Sequence, residues 1–182
     1  DGTMFTRHYI SSPMCTPSRY SCLTGRYGSR NECKPFLKLN PDGVQSFVAW
    51  NTHLENHLPN VARTLQAGGY VTGAVGKWHV SPGRLPYSDY PRDADLSDPK
   101  VARQLASDYE AVLEDVRSCG FDYAASVYHN NLTAYVEKIQ AINCHNPEWV
   151  TKGALDFLDK YSDKPFFLYV ATTLHHGPEP QE

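Results

Sequence analysis

Tyr70-Val71-Thr72-Gly73-Ala74-Val75-Gly76-Lys77-Trp78-His79-Val80 reads as a buried strand that runs into a loop. Its β-branched and small apolar residues suit a pleated surface covered on both sides. Lys77 and His79 stand two residues apart, so a continuing strand would point both to one side. A cation and an imidazole at the carboxyl end of a buried strand occupy the place where open α/β sheets bind ligands. The flanking segments supply the rest of such a sheet. Residues 59–69 have a helical pattern with Val61, Ala62 and Leu65 on one face and Gly68-Gly69 at its end. Residues 81–99 form a polar loop rich in Pro and Asp. Asp98 can then cap, and Pro99 open, a long helix with Val101, Leu105, Val112, Leu113 and Val116 inward, ended by Gly120. Phe121-Asp122-Tyr123 begins a further extended piece. Asn146-Pro147 starts a helix carrying Val150, Ala154, Phe157, Leu158 and Tyr161 on one face. Residues 165–171 are a near-continuous apolar run, as expected of a strand covered on both faces. This order predicts an α/β fold, a largely parallel (mixed) sheet sandwiched by helices.

A second stretch, Pro13-Met14-Cys15-Thr16-Pro17-Ser18-Arg19-Tyr20-Ser21-Cys22-Leu23-Thr24-Gly25-Arg26, reads as an approach segment turning into a short helix. Thr16 suits the N-cap and Pro17 the first helical position, where a missing N–H costs nothing. Gly25 can close the helix in the left-handed conformation. Cys15 would lie at the positive end of the helix dipole, with Arg19 four residues on and near the same face. A thiol-derived group, an arginine and a helix N-terminus suit an anionic group in transfer. Cys22 falls where it could pack into the core. Residues 3–11 alternate large side chains, which suggests a short strand or an extended approach. Residues 27–56 are rich in Asn, Pro and Gly, with Phe36, Phe47 and Trp50 among them, and read as a long surface excursion beside the site.

Cys15-Thr16-Pro17-Ser18-Arg19 followed by Leu23-Thr24-Gly25-Arg26 resembles the signature of type I sulfatases, C-x-P-S-R-x-x-x-L-T-G-R, at every fixed position. Gly76-Lys77-Trp78-His79 resembles the G-K-W-H motif of the same family, and Gly69-Tyr70-x-Thr72 and Gly120-Phe121-Asp122 resemble further elements of it. Residues 164–178 resemble its K-P-F-F-L-Y strand and P-H-x-P turn, with His176-Gly177-Pro178 matching H-x-P and His175 standing where proline is usual. The resemblance implies an alkaline-phosphatase-like fold and hydrolysis of a sulfate ester. It implies that a formylglycine-generating enzyme oxidises Cys15 to formylglycine, whose hydrate attacks sulfur. Arg19 would hold that hydrate and Lys77 would bridge it and the sulfate. His79 would take a proton from the remaining hydroxyl, and His176 would protonate the leaving alcohol, with Lys77 and His176 also binding substrate. The family also binds calcium, for which this chain would contribute the oxygen derived from Cys15. The other calcium ligands, an aspartate pair on a first strand and a later Asp-Asn pair, should precede Asp1 and follow Glu182. Residues 1–182 are thus expected to be part of a sulfatase catalytic domain, inactive as an isolated polypeptide.

Composition narrows the alternatives. Hydrophobic residues make up 41% of the 182 residues and charged residues 20%, an ordinary globular balance. A net charge of −3 argues against a binder of nucleic-acid backbones. No apolar run approaches the length of a membrane span. Export to the periplasm or outside the cell is an expectation from the family. None of the five cysteines shows a C-x-x-C spacing, and a Cys33–Cys119 or Cys119–Cys144 disulfide stays open. Asn131-Leu132-Thr133 is a formal glycosylation triplet. The resemblance implies a sulfated small molecule or carbohydrate as the substrate. A phosphonate or phosphodiester hydrolase of the same superfamily, and a non-catalytic sulfate-binding domain with unmodified Cys15, are the alternatives. A thiol hydrolase pairing Cys15 with His79 leaves Arg19 and Lys77 without a role.

Overall fold

A computed structural model of the chain describes residues 2–81, 89–131, 139 and 142–174. Three parallel strands form the sheet: β1 (Val71–Lys77), β2 (Tyr123–Tyr128) and β3 (Phe166–Ala171), in the order β2-β1-β3. The central strand is the one whose sequence is most uniformly small and apolar, and it is buried from Thr72 to Lys77. Helix α4 (Pro99–Ser118) joins β1 to β2, and α5 (Pro147–Tyr161) joins β2 to β3. The first connection moves to one flank of β1 and the second crosses to the other. Right-handed crossovers in opposite directions put their helices on opposite faces. Packing agrees: Val112, Leu113 and Val116 of α4 meet Ala74, Ala124 and Val127, while Val150 and Ala154 of α5 meet Val75, Tyr128 and Leu168.

Three helix starts are fixed by a side-chain cap. The side chain of Asp98 accepts from the Lys100 N–H at 2.7 Å and Pro99 follows it. The Asn146 side chain accepts from the Trp149 N–H at 2.8 Å, before Pro147. At α3 (Val61–Ala67), Asn60 accepts from the Arg63 N–H at 3.0 Å. Such caps contribute about 1 kcal/mol each. Helix α1 (Cys15–Thr24) lies on the α4 face and inserts Tyr20 and Leu23, each 2% exposed, beside Ala62, Trp78 and Val80. At roughly 2 kcal/mol per buried side chain, this packing holds a ten-residue helix that would be marginal alone. A shorter helix, α2 (Lys34–Leu39), and a 3-10 turn (Gly28–Arg30) lie within the 27–56 excursion.

Three expectations need correction, and two open alternatives are decided. Helix α1 starts at Cys15, one residue before the expected cap at Thr16; its N-cap is Met14, and the Ser18 N–H bonds the Met14 carbonyl at 3.2 Å. Pro17 is therefore the third helical residue, still inside the first turn where its N–H would have no partner. Cys22 is exposed because the buried stripe runs through Thr16, Tyr20 and Leu23, each at least about 100° around the helix from it. Strand β3 is only half covered, with Val170 53% exposed, because α5 lies over β1 and β2 more than over β3. All five cysteines are free thiols, so neither disulfide forms. Residues 3–11 are exposed and contain no strand.

The tightest point in the sheet is Gly76. Its φ is 86°, the register slips between Val75 and Gly76, and a Cβ there would be driven into the Ala171 carbonyl of β3. Gly25 has a comparable φ of 68° at the end of α1 but open space around it. Gly76→Ala should therefore cost about 3 kcal/mol or more, combining strain and overlap, and Gly25→Ala only about 1 kcal/mol. Chemical denaturation of both variants of the full-length protein checks the difference; equal losses would remove the steric argument.

Candidate active site

The carboxyl end of β1 collects side chains from three segments. Cys15, the first residue of α1, places its Sγ 3.2 Å from Nδ1 of His79. Arg19, one turn along the same helix, donates from Nη1 to the Lys77 carbonyl at 2.6 Å and to the Tyr169 hydroxyl at 3.1 Å. Its Nε is buried and has no partner among the described residues. Lys77 is 2% exposed and donates from Nζ to Oδ1 of Asn131 at 2.5 Å. Burial pulls its ammonium down to about 8, opposed by the neighbouring Cys15 and reinforced by Arg19. Two fixed cations, a thiol and an imidazole thus meet at a helix N-terminus, where backbone N–H groups add positive potential.

Lys77 and His79 reach this point by a route that strand alternation does not give. The strand ends at Lys77, and His79 has a φ of 58°, in the left-handed region that non-glycine residues avoid. Strain of this kind persists only where neighbours over-determine the conformation. Here they do. The His79 N–H donates to the His129 carbonyl at 2.9 Å, and the Trp78 N–H to the Tyr128 carbonyl at 2.8 Å. The Trp78 indole, 1% exposed, stands edge-on to Phe121 and donates to Oδ2 of Asp115 at 2.9 Å. Ser81 Oγ lies 2.6 Å from Nε2 of His129. In the four-residue run 76–79, Gly76 permits the close strand contact, Trp78 anchors the turn, and Lys77 and His79 face Cys15.

The buried groups behind the turn carry perturbed acidities. Burial pushes Asp115 up to about 6, against the hydrogen bonds from Ser81 and Trp78. Burial takes His129 down to about 4, with His53 adding to the effect. The other family-like elements are structural. The Thr72 N–H donates to Oδ2 of Asp122 at 2.9 Å, the Thr72 hydroxyl to the Gly120 carbonyl at 2.9 Å, and Phe121 sits in the core.

Four of the five residues singled out from sequence therefore come together: Cys15, Arg19, Lys77 and His79. His176 lies outside the described residues, as does His175. Sequence reasoning missed Tyr169, hidden in an apolar run as its one hydroxyl, and treated Asn131 only as part of a glycosylation triplet. Among the described residues no group of three or more His, Cys, Asp or Glu side chains could hold a metal ion. The described residues do not by themselves fit calcium.

The profile of the Sulfatase family matches residues 1–182. The chain belongs to the sulfatase family. Among curated sulfatases, rat (Rattus norvegicus) steryl-sulfatase is 38% identical over 90 residues, covering 50% of this chain and 15% of that protein. Human arylsulfatase D is 35% identical over 82 residues, 43% of this chain and 13% of that protein. The uncharacterized sulfatase YdeN of Escherichia coli is 28% identical over 192 residues, 98% of this chain and 30% of that protein. The chain spans less than a third of the length of these sulfatases. A solved Bacteroides thetaiotaomicron structure, described under glycosaminoglycan metabolism, superposes with a TM-score of 0.55 at 19% identity over 93% of this chain and 43% of that one. It shows the same fold.

The lowered acidity of His129 has a defined consequence. Its neutral form is favoured in the fold, so its contribution to stability is complete above pH 6.5 and is lost as pH falls toward 4. Asp115 acts in the opposite sense, destabilising as pH rises from 3.8 to about 6. The stability difference between the parent and a His129→Gln variant isolates the histidine. That difference should shrink by up to about 3 kcal/mol between pH 6.5 and 4. Denaturant titrations at several pH values measure it, and a pH-independent difference would contradict the burial assigned to this ring.

Proposed function

We infer that the protein is a sulfuric ester hydrolase whose reaction centre is position 15. The single observation behind this is the convergence of Arg19, Lys77 and His79 on Cys15 at the start of α1, in a chain of the sulfatase family. Formylglycine at this position, made from Cys15 by a formylglycine-generating enzyme, supplies as its hydrate one hydroxyl for displacement at sulfur and a second whose deprotonation allows sulfate to leave. The remaining chemistry falls to groups already in place. Arg19 is held rigid by a strand carbonyl and the Tyr169 hydroxyl, which suits it to orient the oxygens at position 15. Lys77, excluded from water, offers a positive charge to sulfonate oxygens where a low dielectric strengthens it. His79, in contact with position 15, is in reach to accept the proton of the second hydroxyl. His176, outside the described residues, would be the proton donor to the leaving alcohol. Calcium would be held chiefly by residues other than those described.

These groups address the sulfate half of the substrate. The alcohol, a sulfated small molecule or carbohydrate, would be read by the 27–56 excursion. That excursion is tied to α1 where Gly28 packs against Pro17 and Val48, and it carries the exposed Tyr27, Phe47 and Trp50.

The Cys15–His79 contact also fits a thiol nucleophile, and one measurement separates the two. After co-expression with a formylglycine-generating enzyme, the tryptic peptide containing Cys15 should be lighter than its cysteine form and react with a hydrazide. Sulfate-ester turnover by the full-length protein should fall at least about 10³-fold in Cys15→Ala. An active protein with an alkylatable Cys15 thiol would overturn the formylglycine reading, and preference for phosphate over sulfate esters would move the assignment within the superfamily.

A further inference from the structure

Asn131 opens a glycosylation triplet in the sequence, yet its side chain is engaged inside the protein. Its Oδ1 accepts from Lys77 Nζ at 2.5 Å, and its own N–H donates to Oδ1 of Asn130 at 2.7 Å. A nearly inaccessible ammonium has three donors to satisfy, and leaving them unmet in an apolar surrounding is costly. The segment after β2 supplies an acceptor for one of them and fixes the neighbouring imidazole as well, because the His129 carbonyl two residues earlier holds the strained His79 backbone. The type of acceptor matters. An amide oxygen fixes the ammonium without cancelling its charge, so the full positive charge, next to that of Arg19, stays available to an anion. A carboxylate in its place would neutralise Lys77 and repel the same anion.

We propose that Asn131 is a positioning residue for the sulfate-binding lysine, acting through its uncharged side-chain carbonyl and independently of any glycan. The inference rests on the function given above and extends it to a residue outside the sulfatase-like runs quoted from the sequence. The test uses the full-length protein matured with a formylglycine-generating enzyme, with 4-nitrophenyl sulfate as substrate and inorganic sulfate as ligand. Four variants are compared: Asn131→Ala, Asn131→Asp, Asn131→Gln and Thr133→Ala.

Asn131→Ala should lower kcat/KM about 10- to 100-fold while aldehyde content at position 15 and the melting temperature stay at parent values. Asn131→Asp, equal in shape, should weaken inorganic sulfate binding at least about tenfold by calorimetry. Asn131→Gln should recover part of the loss, since it keeps a neutral acceptor. Thr133→Ala destroys the triplet but keeps the amide and should match the parent throughout. Loss of activity in Thr133→Ala, or sulfate affinity within twofold of the parent in Asn131→Asp, would overturn the proposal. A parent that turns over no sulfate ester would instead refute the functional reading. The calorimetric comparison would still decide the role of Asn131 in anion binding.

Discussion

A lysine ammonium 2% exposed at the end of a central strand is the costly element around which this molecule is arranged. Its Nζ has an amide acceptor from one segment, its carbonyl binds an arginine from a second, and its neighbour Trp78 locks the turn into the core. Each of these contacts also places a chemically useful group. The helix that supplies Arg19 brings Cys15, and the turn that buries Trp78 forces His79 into a left-handed conformation aimed at Cys15. Compensation for one buried charge and assembly of the cluster around Cys15 are the same set of contacts.

Strands and helices were legible because their signals are local. The caps at Asp98 and Asn146 combine a side-chain acceptor with a following proline, and both start helices as read. The small apolar run of β1 and the apolar run of β3 both pair in parallel. The half-covered face of β3 was not legible, because apolar composition records what a strand can tolerate and not which helix lies above it. Cys22 failed for a related reason: seven residues is nearly two helical turns from Cys15, but the buried stripe was set by Tyr20 and Leu23.

The site was legible through motifs and illegible where it depends on pairing across the fold. Cys15, Arg19, Lys77 and His79 stand in two short runs that each carry a chemical pattern. Tyr169 touches them from within β3 and Asn131 from the segment after β2, and the runs in which they stand, K-P-F-F-L-Y and a glycosylation triplet, give neither a role at this site. The expectation that Lys77 and His79 share a side by strand alternation reached the right outcome for the wrong reason. Two positive φ values, at Gly76 and His79, turn the chain where a strand was assumed to continue.

The hydrogen bond between Arg19 and Tyr169 closes a loop of 150 residues. During synthesis from the amino end, at the usual 5–20 residues per second, roughly 8–30 seconds pass between the appearance of the first partner and that of the second. Strand β1 is made midway, but both of its neighbours, β2 and β3, come later. For that interval helix α1 lacks the three paired strands it packs on, and position 15 travels in an open, accessible chain. The topology thus gives the nascent protein a period in which Cys15 stands in an open chain and a later one in which it is half-buried against His79, with the arrival of β3 marking the boundary.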